Sequence, residues 1–144
     1  MVLLNLGCGK HKLDGFINLD KDMGSTFESG LDFKDGSVDG ITISHALMYV
    51  HDNDWMRVFH EFYRVLRDGG VLRITEDNTA DPESERYGGH FDAVSMTYPE
   101  KIADYLVSAG FKVYAGRGTM FMDNRLMQSF HGMPPKVFHI EGIK

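Results

Sequence analysis

A short apolar run, Val2-Leu3-Leu4-Asn5-Leu6, stops at Gly7-Cys8-Gly9, and a second, Phe16-Ile17-Asn18-Leu19, ends at Asp20. A run of that length bounded by glycines reads as a strand buried on both faces, as in a parallel sheet. This pair constrains the fold more than any other feature. The residues between them, Lys10 to Gly15, cannot hold a full crossover helix, so the two strands must be joined by something shorter.

The rest of the chain continues the alternation. Val38 to Ser44 reads as a strand after the turn Lys34-Asp35-Gly36-Ser37, and a short strand is expected near Ser25 to Glu28. Asp52, Asn53 and Asp54 supply N-cap candidates for a helix whose Trp55, Phe59, Phe62 and Leu66 recur at helical spacing. Its end is expected near Arg67-Asp68, before Gly69-Gly70, with Val71 to Thr75 resuming as a strand. Thr97-Tyr98-Pro99-Glu100 combines a capping box with a first-turn proline, Gly110 closes that helix, and Phe111 to Ala115 is another strand. The alternation of Lys136 to Ile143 reads as a late edge or hairpin strand. Strands separated by helices indicate a single α/β domain over residues 1–144, with a mainly parallel sheet and an antiparallel late pair.

Composition narrows the partners. Fifteen Lys and Arg against 21 Asp and Glu leave a net charge of −6, which lacks the field of a duplex-binding protein, so no nucleic acid is expected. A single Cys excludes an internal disulfide and an all-Cys zinc site and suits a reducing, cytoplasmic setting. No apolar run approaches the roughly 18 residues of a membrane span, and no membrane association is expected.

In a sheet of this kind the ligand lies outside the carboxyl ends of the strands, where strand order reverses. Gly7 and Gly9 let the backbone turn tightly and approach a ligand, Asp20 can accept hydrogen bonds from both hydroxyls of a ribose, and Ser44 and His45 end the strand on the other side. A G-x-G alone is weak, since two glycines suit any strand exit. A dinucleotide fingerprint needs a third glycine and an acid about 20 residues further on. Here Lys12 stands at the third position and Asp20 only 11 residues beyond Gly9, which disfavours NAD. No G-x-x-x-x-G-K-[ST] run exists, which excludes a P-loop.

The stretch LLNLGCGKHKLDGFINLD resembles the first motif of the class I S-adenosylmethionine-dependent methyltransferases. FKDGSVDGITISHALMYV, with EFYRVLRDGGVLRIT after it, is similar to the middle motifs of that family, and the AGF after the capped helix also fits. The resemblance implies a Rossmann-like, seven-stranded, mainly parallel sheet with helices on both faces and a reversed last strand. It implies S-adenosylmethionine lying over Gly7, Cys8 and Gly9, with Asp20 on the ribose, Glu28 near the adenine, and Ser44 and His45 near the methionine portion. Three departures stand out: Asn5 replaces a usual acid, the stretch that often reads S-H-x-L-E-H loses its Glu and second His, and the chain opens directly on the first strand.

Methyl transfer needs an aligned nucleophile and, for a hydroxyl acceptor, a base within reach. His45 has the best position, and His90, within Tyr87-Gly88-Gly89-His90-Phe91, sits where a loop can bring it onto substrate. The plainer roles are a backbone-bonded structural histidine for His45 and a surface turn for His90. Cys8 lacks an evident base and reads as a backbone contact to cofactor. Glu76, Asp77, Asp81, Glu83 and Glu85 read as a solvated loop, with no metal expected. The expected activity is methyl transfer to an O or N atom of a small acceptor, a metabolite or sugar. The rival is a catalytically silent subunit of the same fold that stabilises or regulates a partner. Phe130 and Phe138, expected as exposed aromatics in the tail, suggest homodimerisation as a way to complete the site or cover an edge strand.

Overall fold

The computed structural model describes residues 1–20, 30–78, 94–115 and 137–144. Six strands form one sheet there: β1 (Leu3–Leu6), β2 (Ile17–Leu19), β3 (Val38–Ser44), β4 (Leu66–Asp77), β5 (Lys112–Ala115) and β6 (Val137–Ile143). Their order is β2-β1-β3-β4-β6-β5. The first four run parallel, and β6 runs antiparallel to both β4 and β5. This is the expected Rossmann-like α/β sheet with a reversed late strand. The strand expected near Ser25–Glu28, which would be the seventh, lies outside the described residues. The late strand β6 pairs antiparallel with β5, as a hairpin strand would, but is not an edge: Phe138, His139, Ile140 and Glu141 are all buried, and β5 takes the outer place. Phe138 is therefore core rather than an exposed aromatic for a second copy to cover, and Phe130 lies outside the described residues.

Register gives the sheet two chemically opposite faces. Residues paired across neighbouring strands share a face. One row runs Ile17, Leu4, Ile41, Leu72, Gly142, Val113, and the next holds Leu19, Leu6, Ile43, Ile74 and Ile140. The alternate row is polar throughout: Asn18, Asn5, Thr42, Arg73, Glu141, Tyr114. The apolar face carries α1 (Asp52–Val65) and α2 (Pro99–Ser108). Trp55, Val58, Phe59, Phe62 and Val65 bury one stripe of α1, and Ile102 and Leu106 do the same for α2. The helices meet through Tyr105, whose ring stands edge-on to Trp55 at 5.3 Å between centroids.

Helix boundaries differ from expectation at two points. The first helix ends at Val65, because Leu66 is already extended and paired with Val38, and Arg67 donates to Asp39 Oδ1 at 2.6 Å. Tyr98, not Thr97, is the N-cap residue of α2. The Thr97 hydroxyl instead donates to the Asp77 carbonyl at 2.7 Å, tying the approach to α2 onto the end of β4.

The join between β1 and β2 is made by side chains. Asn5, buried at the middle of β1, donates through Nδ2 to the His11 carbonyl at 2.9 Å and to Asn18 Oδ1 at 2.8 Å. Asn18 in turn accepts from the Leu13 N–H and donates to the carbonyls of Leu13 and Phe16. Two amides thus satisfy a connection that has no helix to do so. A carboxylate at position 5 could accept but not donate, and would face two acceptors. Asn5→Asp is therefore expected to lower the unfolding free energy by about 2 kcal/mol or more at pH 7. An earlier urea midpoint checks this, and an unchanged midpoint refutes it.

Candidate functional site

The carboxyl ends of β1 to β4 lie along one edge of the sheet, and strand order reverses at β1, which has β2 on one side and β3 on the other. At that point the chain leaves β1 through Gly7 (φ 64), Cys8 and Gly9 (φ 50). These are left-handed conformations that glycine adopts without penalty. The Gly7 N–H donates to the Leu19 carbonyl at 2.8 Å, which holds the exit of β1 against the exit of β2. A Cβ at Gly9 would meet no atom within 4 Å, so the outer side of this turn is open.

Asp20, half-buried, follows β2 directly. Its carboxylate and Cys8 lie close enough to feel one another. Burial foremost, and then the Asp20 charge, push the Cys8 thiol above its ordinary value. A thiol held protonated is a poor nucleophile, in keeping with Cys8 as a backbone element of the turn.

The exit of β3 carries the strongest geometry. His45 has φ 50, the one non-glycine residue among those described with a positive φ. Its N–H donates to the Thr75 carbonyl at 2.8 Å. Its Nδ1 lies 3.6 Å from Asp77 Oδ1, and that carboxylate, against the effect of burial, holds the imidazole above its ordinary value. On the neighbouring strand His139 behaves oppositely: burial, with the His45 charge second, pushes it down, and its Nδ1 lies 2.6 Å from Thr75 Oγ1.

Gly7, Cys8, Gly9, Asp20, Ser44 and His45 thus gather at one edge. Glu28 and His90 lie outside the described residues, as do Asp81, Glu83 and Glu85. Glu76 and Asp77 are not part of a solvated loop. They complete β4, and Glu76 is fully buried. The signal for them was the strand period: carried two residues past Thr75, it sets Glu76 on the side of Leu72 and Ile74, and Asp77 on the side of Arg73 and Thr75.

The family model of a methyltransferase domain matches residues 18–74. Solved structures with the same fold include an S-adenosylmethionine-dependent methyltransferase from Archaeoglobus fulgidus, at a TM-score of 0.72 and 15% identity, covering 99% of this chain and 85% of that one. Another, from Thermotoga maritima and described as a possible histamine N-methyltransferase, has a TM-score of 0.65 and 18% identity, with 99% and 82% covered. A third comes from the complex between the Haloferax volcanii Trm112 methyltransferase activator and a methyltransferase, at 0.63 and 16%, with 99% and 81% covered. The chain has the class I methyltransferase fold. Comparison with curated proteins gives no match.

The cofactor this fold implies is S-adenosylmethionine. The edge fits such a group: two left-handed glycines, open space beyond Gly9, and a half-buried carboxylate across from the turn. The electrostatics of this edge are testable in the free protein. The His45–Asp77 pair stabilises the fold while His45 is protonated, fully so below the ordinary histidine value of about 6.5, and the contribution fades as pH rises through the raised value. Asp77→Asn should therefore shift the His45 titration, followed by its ring proton resonances, to lower pH. A midpoint that does not move would show that Asp77 has no hold on the imidazole.

Proposed function

We propose that this chain transfers the methyl group of S-adenosylmethionine to an oxygen or nitrogen atom of a small acceptor. The observation that carries the reading is the convergence of the Gly7-Cys8-Gly9 turn, Asp20 and the His45 turn at the point of strand reversal. In this reading the backbone of Gly7, Cys8 and Gly9 runs beneath the cofactor, Asp20 accepts hydrogen bonds from its ribose hydroxyls, and Glu28 serves the adenine. Ser44 and His45 border the methionine portion.

Bound there, S-adenosylmethionine supplies a methyl group already activated by its sulfonium. The protein's remaining tasks are to align the acceptor, to keep water out, and to take a proton where the acceptor is a hydroxyl. His45 is the base this reading assigns, with Asp77 orienting its ring, and His90 is the second candidate. An amine acceptor needs only to arrive unprotonated. The net charge of −6 favours a metabolite or sugar over a nucleic acid. The Thermotoga neighbour, described as a possible histamine N-methyltransferase, is in keeping with a small acceptor.

A second reading, a silent subunit that stabilises or regulates a partner, has two supports. The Asn5 amide is engaged inside the fold, where relatives often carry an acid, and the Haloferax neighbour was solved with an activator protein. Calorimetric titration with S-adenosylmethionine and S-adenosylhomocysteine separates the readings. Binding by the wild type, weakened about tenfold or more in Asp20→Ala through the loss of charged hydrogen bonds to the ribose, is the expected outcome. No binding of either ligand would sink the enzyme reading and leave the subunit reading.

A further inference from the structure

Glu76 sits one residue before the end of β4, fully buried, and the proposed chemistry makes no use of it. Oε1 accepts hydrogen bonds from the backbone N–H groups of Ala46 at 2.8 Å and Leu47 at 2.7 Å, while Oε2 has no partner among the described residues. Removing a carboxylate from water is costly, and burial pushes this one up to about 7, with the two N–H donors and then the His45 charge pulling the other way. An apolar side chain of similar size would fill the same space without that cost. What it could not do is accept from two amides.

Those amides belong to the two residues that follow His45. They lead into the 3-10 turn Leu47–Tyr49, which is too short to satisfy its own first N–H groups. Glu76 and Asp77, consecutive on β4, therefore hold the β3 exit from opposite faces of the sheet. One grips the backbone after His45 and the other faces its ring. The Thr75 carbonyl supplies a third hold on the His45 N–H.

We propose that Glu76 is a positioning residue for the cofactor edge: its accepting oxygen fixes the turn at Ala46 and Leu47, and through it the left-handed backbone of His45 and the place of its imidazole. This rests on the reading that S-adenosylmethionine binds at this edge. Two variants of similar volume separate the roles of acceptor and packing. Glu76→Gln keeps an accepting oxygen, and Glu76→Met keeps the bulk without one.

In the full chain, the His45 ring resonances read positioning without any ligand, and calorimetry with S-adenosylmethionine reads the edge. Glu76→Gln is expected to leave both near wild type. Glu76→Met is expected to displace the His45 resonances and weaken the ligand about tenfold or more. If Glu76→Met does not fold, hydrogen exchange in the wild type decides: protected Ala46 and Leu47 amides, with a near-normal Glu76→Gln, support the proposal. Exchange of those amides at the rate of exposed ones overturns it. So does a Glu76→Met protein with wild-type resonances and affinity, or a Glu76→Gln protein as perturbed as Glu76→Met. A wild type that binds no S-adenosylmethionine overturns the function reading, and this is seen before any variant is compared.

Discussion

The carboxamide of Asn5 is the tie on which the first two strands depend. Parallel neighbours usually need a crossover of a dozen or more residues, most often a helix whose own backbone bonds satisfy the connection. Here the segment from Gly7 to Phe16 makes the return without one, and its carbonyls and amides are met by Asn5 and Asn18. Only a group that donates can do what Asn5 does. The amide at this position therefore has a structural reason: it closes a loop that has no helix of its own to do so.

That tie sets the arrangement of the edge. With β2 held beside β1, the Gly7 N–H reaches the Leu19 carbonyl, and Asp20 emerges next to the turn at Cys8. On the other flank β3 follows the same register, Leu3 to Leu6 against Gly40 to Ile43, so Ser44 and His45 leave the sheet beyond the end of β1. None of this requires the acidic and basic residues to find one another over long distances. It follows from three strands whose polar row, Asn18, Asn5 and Thr42, is aligned by pairing. The apolar row beneath is fixed by α1 and α2, whose aromatic contact makes the helical layer a single body.

How much of this was legible in the sequence follows from the range of the interactions involved. The first strands, the glycine turn, Asp20 and the β3 exit were readable because strand length, glycine and a terminal acid are local signals. Helical spacing carries α1 two residues past its end at Val65, because Leu66 answers to Val38, a pairing that spacing cannot register. Thr97 read as a cap because the motif is local, whereas its hydroxyl reaches the Asp77 carbonyl twenty residues away. The alternation of the tail reads as an edge or hairpin strand. The antiparallel pairing of β6 with β5 agrees with the second, and the edge is excluded because β4 lies on the other side. In the fold both faces of β6 are buried, one apolar and one polar, so the same pattern describes a central strand. The polar face as a whole was hidden for that reason: Asn5, Thr42, Arg73 and Glu141 are unremarkable one at a time and form a row only across four strands.

The conformation of His45 bears on what the edge is for. A left-handed histidine is uncommon rather than forbidden, and such a backbone costs of the order of 1 kcal/mol or more unless its surroundings impose it. The surroundings here do so three times over, through the Thr75 carbonyl, the Glu76 carboxyl and the Asp77 carboxylate. One of these contacts carries the added cost of a buried carboxyl. A glycine at position 45 would let the chain turn the same corner without any of them. A subunit kept only for its shape has no use for a costly, over-determined histidine at the mouth of a strand. A protein that must present an imidazole at a fixed place beside a cofactor does, and the energy committed to this one turn favours the catalytic reading over the silent one.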